Sequence, residues 1–136
     1  MSFSSPWWMN LVYPFCHASV WHLLANVWML LSLVVRCRAR VRHLLLAYAV
    51  AASVPSVDMG WWSVVDATPT VGASGMVFAL LGMVSLHARR PWRYHLIIAL
   101  QMALPMLCPW MHINARLHLY CYLLAIILYG AFRKRG

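Results

Sequence analysis

Long apolar stretches, separated by short polar or basic segments, dominate the chain. Five of them can be recognised, at residues 14–35, 44–65, 71–86, 94–110 and 117–132. The first is long enough to cross a bilayer core as an α-helix, which takes about 20 residues, and the last three are somewhat shorter. The pattern predicts an all-α, polytopic membrane protein in which about five transmembrane helices form a compact bundle.

Breaks within the second stretch set its expected end. Pro55, Asp58 and Gly60 interrupt the apolar run, and we expect the helix to end near Val57 because such residues disfavour the interior of a membrane helix. Composition leaves no room for a separate soluble domain, since 64% of the residues are hydrophobic and only 10% are charged. Residues 1–136 are therefore expected to form one membrane domain.

The net charge of +9 is placed in a way that predicts topology. Basic residues follow the first, third and fifth stretches: Arg36, Arg38, Arg40 and Arg42, then Arg89, Arg90 and Arg93, then Arg133, Lys134 and Arg135. Clusters at every second helix boundary lie on one membrane face, which is the positive-inside pattern. We expect an integral protein of the bacterial inner (cell) membrane, with its N-terminus outside and its C-terminus cytoplasmic. The lipid bilayer, and not nucleic acid, is the expected partner of these charges.

The inventory of titratable residues restricts the possible chemistry. Without a glutamate the chain cannot form a zinc site of the HExxH kind, and no metal site is expected. The two acids, Asp58 and Asp66, are expected to share one outer loop and not to face each other inside the bilayer, as an aspartyl protease requires. A bis-histidine haem site stays open, because His17, His22 and His118 lie near helix ends. Seryl chemistry needs a hydroxyl, a base and an oxyanion site, and the chain has residues for all three.

The segment Gly72-Ala73-Ser74-Gly75 offers the hydroxyl. It opens the third apolar stretch, so Ser74 is expected at a helix N-terminus, where unpaired backbone N–H groups can hold an oxyanion. The flanking glycines remove side chains that would crowd the serine. Small residues in membrane helices commonly serve packing alone, so the segment needs partners before it indicates a site.

Polar residues on two other helices are expected at the level of Ser74. His22 and Asn26 are four residues apart in the first apolar stretch and so project from one helix face. Such side chains are costly in lipid and should point into the bundle. His118 lies in the first turn of the fifth helix, which enters from the same side of the membrane. Taken together, these four residues predict one site near the outer face.

Small residues should let the third and fifth helices approach closely. They are Gly75, Ala79 and Gly82 on the third helix and Cys121 and Ala125 on the fifth. Close approach would bring Ser74 within hydrogen-bonding distance of His118. Phe78, one turn below Ser74, is then placed to stack on the imidazole, although a purely structural role in the core is an equal expectation.

Three separated motifs resemble the rhomboid family of intramembrane serine proteases. They are residues 8–26, which begin WMNLVYPFCH and end HLLAN, the GASG segment at residues 72–75, and His118 at the start of the last helix. The resemblance covers nearly the whole chain. It implies that Ser74 is the nucleophile and His118 the general base.

The resemblance also assigns the remaining polar residues. It implies that His22 and Asn26, with the Ser74 N–H and Gly72, form the oxyanion and binding site, and that His17 is a structural hydrogen-bonding residue. The implied activity is that of an endopeptidase that cleaves membrane-anchored protein substrates near the outer face by a Ser–His dyad, without a cofactor. The alternative is an inactive rhomboid-like protein that binds transmembrane segments.

The chain departs from the family pattern at several points. Met9 stands where the family usually has an arginine that braces the outer loop, and Cys121 and Ala125 stand where glycines are usual. We therefore expect the third and fifth helices to be slightly farther apart than in the family. The core of the family has six helices, and this chain is expected to lack the first.

Overall fold

Helices account for nearly all of the computed structural model, which describes residues 8–17, 19–61, 72–107 and 114–133. In chain order they are α1 (Met9–Val12), a 3-10 turn (Tyr13–Phe15), α2 (Val20–Arg36), α3 (Val41–Trp61), α4 (Ser74–Ser85), α5 (Pro91–Leu107) and α6 (Ala115–Arg133). The described residues contain no strand. The predicted all-α class is confirmed, and the five long helices correspond to the five apolar stretches.

Polar side chains set where two of the long helices begin. The Ser19 hydroxyl accepts a hydrogen bond from the His22 backbone N–H at 3.1 Å and caps α2. The Asn114 side-chain oxygen accepts one from the Leu117 N–H at 3.0 Å at the start of α6. Such caps satisfy backbone donors that have no partner within the helix. They also place His22 and His118 in the first turns of their helices.

Helix α3, which corresponds to the second apolar stretch, continues beyond the expected end near Val57. It extends to Trp61, so Asp58 belongs to the last turn of α3 and does not share a loop with Asp66. That expectation was wrong because proline and glycine weaken a membrane helix without necessarily ending it, since neighbouring groups can satisfy the freed backbone atoms. Asp66 lies outside the described residues.

Successive long helices run antiparallel, which gives the bundle two chemically different ends. At the serine end, Ser74 at the start of α4 contacts His118 in the first turn of α6. At the arginine end, the Arg133 guanidinium donates a hydrogen bond to the Leu86 carbonyl at 3.1 Å, where α4 finishes. Of the described arginines, all except Arg116 lie at the arginine end.

Helix α4 occupies the centre of the bundle. Eight of its twelve residues are buried, and it contacts the other four long helices and the 3-10 turn. By contrast, α2 buries only Asn26 and Leu33 and exposes large side chains such as Trp21 and Trp28. The polar first turn of α4 is therefore surrounded by protein, whereas the outer helices expose apolar side chains to lipid.

The lengths of the helices agree with a central position of α4. By length and hydropathy, α6 is the one helix of the described residues that could cross a membrane by itself. A bent pair of helical segments, Met9–Phe15 and Val20–Arg36, meets the same criterion only when the two are taken together. The apolar part of α3 (Val41–Val54) and α4 are shorter. Because α4 is enclosed by other helices, it does not need the length of a lipid-exposed span.

Glycines on α4 allow the close approach of α3 and α6. A Cβ on Gly75 would lie 3.3 Å from the Ala51 Cβ and 3.3 Å from the Cys121 Sγ. A Cβ on Gly82 would fall on the Tyr122 carbonyl oxygen and 3.3 Å from the Ala125 Cβ. The larger residues at 121 and 125 are therefore accommodated, because the glycines on the facing helix leave the room for them.

We predict opposite effects for two glycine-to-alanine substitutions. Gly82→Ala should destabilise the protein by about 1–3 kcal/mol, because the added methyl group collides with the Tyr122 carbonyl and pushes α4 away from α6. The matched control is Gly130→Ala, where the nearest atom is the Leu86 Cδ1 at 3.7 Å. It should be neutral or stabilising by up to about 1 kcal/mol, since alanine favours a helix over glycine. Thermal unfolding in detergent measures both, and a Gly82→Ala protein as stable as wild type would contradict the packing described.

Candidate active site

The turn before α4 presents the Ser74 side chain. Gly72 has a φ of +102°, a conformation that residues with a Cβ rarely adopt. Its N–H donates a hydrogen bond to the Tyr13 carbonyl at 3.0 Å. Ala73 then occupies the N-cap position and contributes no side-chain hydrogen bond to the helix start. The backbone donors of the first turn of α4 are therefore not covered by a capping side chain.

Ser74 and His118 form a hydrogen-bonded pair. The distance between the Ser74 Oγ and the His118 Nε2 is 2.9 Å, and His118 is buried with 7% of its surface exposed. With a neutral imidazole that carries its proton on Nδ1, the hydroxyl donates and Nε2 accepts. A serine and a base in this relation are the arrangement that seryl chemistry needs.

Phe78 holds the imidazole from one face. Its ring is stacked on that of His118, with 4.3 Å between centroids and 14° between planes. Of the two roles that the sequence left open for Phe78, stacking on the imidazole is the one observed. Because the ring covers one face and the Ser74 hydroxyl engages Nε2, rotation of the His118 side chain is restricted.

His22 and Asn26 lie against the backbone just before Ser74. A Cβ on Gly72 would be 2.7 Å from the His22 Cε1, 2.9 Å from the His22 Nε2 and 3.1 Å from the Asn26 Nδ2. No larger residue fits at position 72 without moving both polar side chains. Because position 72 is a glycine, His22 and Asn26, two of the residues predicted for the oxyanion site, can pack closely against the turn that precedes the serine.

Asn26 carries an unusual buried donor. The residue is 7% exposed, and its Nδ2 has no hydrogen-bond partner among the described residues. A buried amide without an acceptor is costly, and native structures contain few of them. This donor lies against Gly72, two residues before the serine.

His17 lies next to this group. Its Nδ1 is 3.2 Å from the Phe15 carbonyl, and its ring meets that of His22 edge to face at a centroid distance of 5.5 Å. The structure therefore places all six sequence-predicted residues in one region at the serine end. Ser74 pairs directly with His118, Gly72 contacts His22 and Asn26, and His17 adjoins His22.

Tyr13 is a positioning residue that sequence reasoning did not single out. Its hydroxyl donates a hydrogen bond to the Ala51 carbonyl at 2.7 Å, and its own carbonyl accepts the Gly72 N–H. The hydroxyl oxygen also lies 3.1 Å from where a Cβ on Gly75 would be. Tyr13 thus connects the 3-10 turn to Gly72 through its backbone carbonyl, and to α3 and the neighbourhood of Gly75 through its buried side chain. Because its partners are backbone atoms, no spacing of polar residues indicated it.

Comparison with known proteins identifies the family. The family model of the Rhomboid domain matches residues 4–130. The chain belongs to the rhomboid family. A search of curated proteins and a search of solved structures each found no match. As a rhomboid, the protein is an integral membrane protein with a polytopic helical fold.

The residues at which this rhomboid departs from the family pattern differ in burial. Met9 is exposed and begins α1. Cys121 and Ala125 are fully buried, on the face of α6 that packs against Gly75 and Gly82. Since the Ser74 hydroxyl still reaches the His118 imidazole, these two replacements do not separate the pair.

Proposed function

We propose that this rhomboid is an intramembrane serine endopeptidase that cleaves membrane-anchored protein substrates. The observation that carries the proposal is the 2.9 Å contact between the Ser74 Oγ and the His118 Nε2. It is supported by the exclusion of glutamate-dependent chemistry from a chain with no glutamate. Membership of a family whose members are typically serine proteases of the membrane gives independent support.

The geometry suggests a two-step reaction by a Ser–His dyad. His118 accepts the proton of the Ser74 hydroxyl as the oxygen attacks the carbonyl carbon of the scissile peptide bond. The resulting imidazolium returns that proton to the leaving amine, and the carbon–nitrogen bond breaks to leave an acyl ester on Ser74. His118 then takes a proton from water as the water oxygen attacks the ester. It returns this proton to the Ser74 Oγ as the ester C–O bond breaks, which releases the acid product and regenerates the serine hydroxyl.

The negative oxygen formed in each step needs hydrogen-bond donors. The Ser74 backbone N–H lies in the uncapped first turn of α4, where such groups have no partner within the helix. The Nδ2 of Asn26, which has no partner among the described residues, and the ring of His22 both lie against Gly72. We assign these groups to the oxyanion site, since preorganised donors in a site shielded from water stabilise developing charge strongly.

Ser74→Ala should abolish peptide-bond cleavage while leaving thermal stability nearly unchanged. His118→Ala should abolish cleavage too, and each loss should exceed a factor of about a thousand, as for groups that act as a unit. The assays are cleavage of a membrane-anchored reporter and covalent labelling by a fluorophosphonate probe. Ser53→Ala is the matched serine control, because Ser53 is exposed on α3. The histidine control is His112→Ala, at a residue that the sequence places in the outer loop before α6 and that lies outside the described residues. Each control should change activity by less than about tenfold.

Either of two outcomes would overturn the protease proposal. One is cleavage by Ser74→Ala at the wild-type rate. The other is a folded wild-type protein that captures transmembrane segments but neither cleaves them nor reacts with the probe. The second outcome would instead identify an inactive rhomboid that binds membrane segments.

Asn26→Ala should separate catalysis from stability. We expect kcat to fall by up to the equivalent of about 2.7–4 kcal/mol with a smaller change in KM, because the amide would act on charge that develops in the transition state. Thermal stability should fall little, since the substitution also removes a buried donor without a partner. His22→Ala should affect kcat similarly, whereas His17→Ala should mainly lower stability. A change confined to KM would make Asn26 a substrate-binding residue.

We further propose that the serine end faces outward and the arginine end faces the cytosol of a bacterial cell, in accordance with the positive-inside rule. Two native cysteines report on this orientation, since Cys16 and Cys37 are both exposed and lie at opposite ends of α2. In variants that retain one of them, an impermeant maleimide should label Cys16 in intact cells and Cys37 only after permeabilisation. The reverse pattern would place Ser74 on the cytosolic side.

A further inference from the structure

A groove at the arginine end is not used by the proposed chemistry. It consists of two open cavities of about 560 and 660 Å³ that share His43 and Tyr129 in their walls. Arg42 and Arg133 line the first cavity, and Arg89 and Arg90 line the second. We call this surface, made of the four arginines with His43 and Tyr129, the basic groove. Its volume is in the range of small-ligand sites in proteins.

The positive charge of the basic groove is not compensated by a carboxylate of the described residues. The chain has two acidic side chains, and Asp58 belongs to the last turn of α3, at the serine end. No carboxylate side chain lies at the arginine end among the described residues. Of the four arginines, Arg133 gives one N–H to the Leu86 carbonyl, which leaves four of its five donors. The groove is therefore suited to an anion with several acceptor oxygens.

His43 supplies a further donor. The Arg40 backbone N–H donates to the His43 Nδ1 at 3.0 Å, so in the neutral ring the proton is on Nε2. That Nε2 is buried and has no hydrogen-bond partner within the described part of the chain. Because His43 lines both cavities, a ligand oxygen in the groove is the acceptor that this N–H lacks.

Apolar side chains lie next to the charges. Leu46 and Phe132 line the first cavity, and Val84 and Ile97 line the second. A free phosphate ion would leave these side chains unused. A phospholipid would use both parts of the surface, with its phosphate on the arginines and its acyl chains along the apolar wall. Basic pockets between membrane helices are known to take anionic headgroups.

We propose that the basic groove binds the phosphate-bearing headgroup of an anionic phospholipid of the phosphatidylglycerol class. The phosphate oxygens accept hydrogen bonds from the groove arginines and from the His43 Nε2. The site is about one helix length from Ser74, and its occupation does not depend on proteolysis. A lipid held there joins α3, α4 and α6 at the end opposite the candidate active site.

The test measures lipid binding to the full chain in dodecyl maltoside. Native mass spectrometry and thermal unfolding are followed as phosphatidylglycerol, phosphatidylcholine or inorganic phosphate is added. The groove variants are Arg42→Gln and Arg90→Gln, and the matched controls are Arg36→Gln and Arg93→Gln, which remove the same charge at the same end but do not line the cavities. Unfolding without lipid shows that each variant is folded.

We expect wild type to retain phosphatidylglycerol in preference to phosphatidylcholine. Each groove variant should lose about tenfold in affinity for phosphatidylglycerol, as for the loss of a hydrogen bond to a charged group, and each control less than about threefold. Ser74→Ala should bind as wild type does. Equal losses in groove and control variants would show diffuse charge attraction and overturn the proposal. So would equal binding of phosphatidylcholine, or binding of inorganic phosphate with the same affinity and the same dependence on the groove arginines.

Discussion

The contact between the backbones of α4 and α6 is the constraint on which the rest of the structure depends. Gly82 lies directly against the Tyr122 carbonyl, and Gly75 leaves room for Cys121 two turns closer to the serine end. Van der Waals packing between small residues is the main force that holds helices together in lipid, where the hydrophobic effect contributes little. Since Ser74 begins α4 and His118 lies in the first turn of α6, the same packing sets the distance between hydroxyl and imidazole.

Sequence reasoning succeeded where a residue's role follows from its position on a helix. The apolar stretches correspond to the long helices, and the i, i+4 spacing of His22 and Asn26 puts both against Gly72. It failed where backbone atoms are the partners. Tyr13 donates a hydrogen bond to the Ala51 carbonyl and accepts one from the Gly72 N–H. Neither bond produces a pattern of side chains that the sequence could reveal. The end of α3 was missed for a related reason, because a helix-breaking residue acts only as far as its surroundings allow.

The two ends of the bundle carry different functional groups but share one structural feature. At each end a buried donor, the Asn26 Nδ2 or the His43 Nε2, has no acceptor among the described residues. Each donor lies where an oxygen of a different molecule is expected, a transition-state oxyanion at one end and a lipid phosphate at the other. Unsatisfied polar atoms that would be defects in an isolated protein thus indicate where this rhomboid meets its surroundings.

Tyr13 makes the segment before α2 a structural part of the serine end. The residue is almost fully buried and reaches α3 and the turn before α4 at once, while Tyr48 holds the preceding helix through the Leu11 carbonyl. A compound that wedges between α1 and α3 would detach this support and loosen the Gly72 turn. The conformation of the Gly72 turn thus depends on contacts that neither Ser74 nor His118 makes, so the serine end can be disturbed without touching either residue.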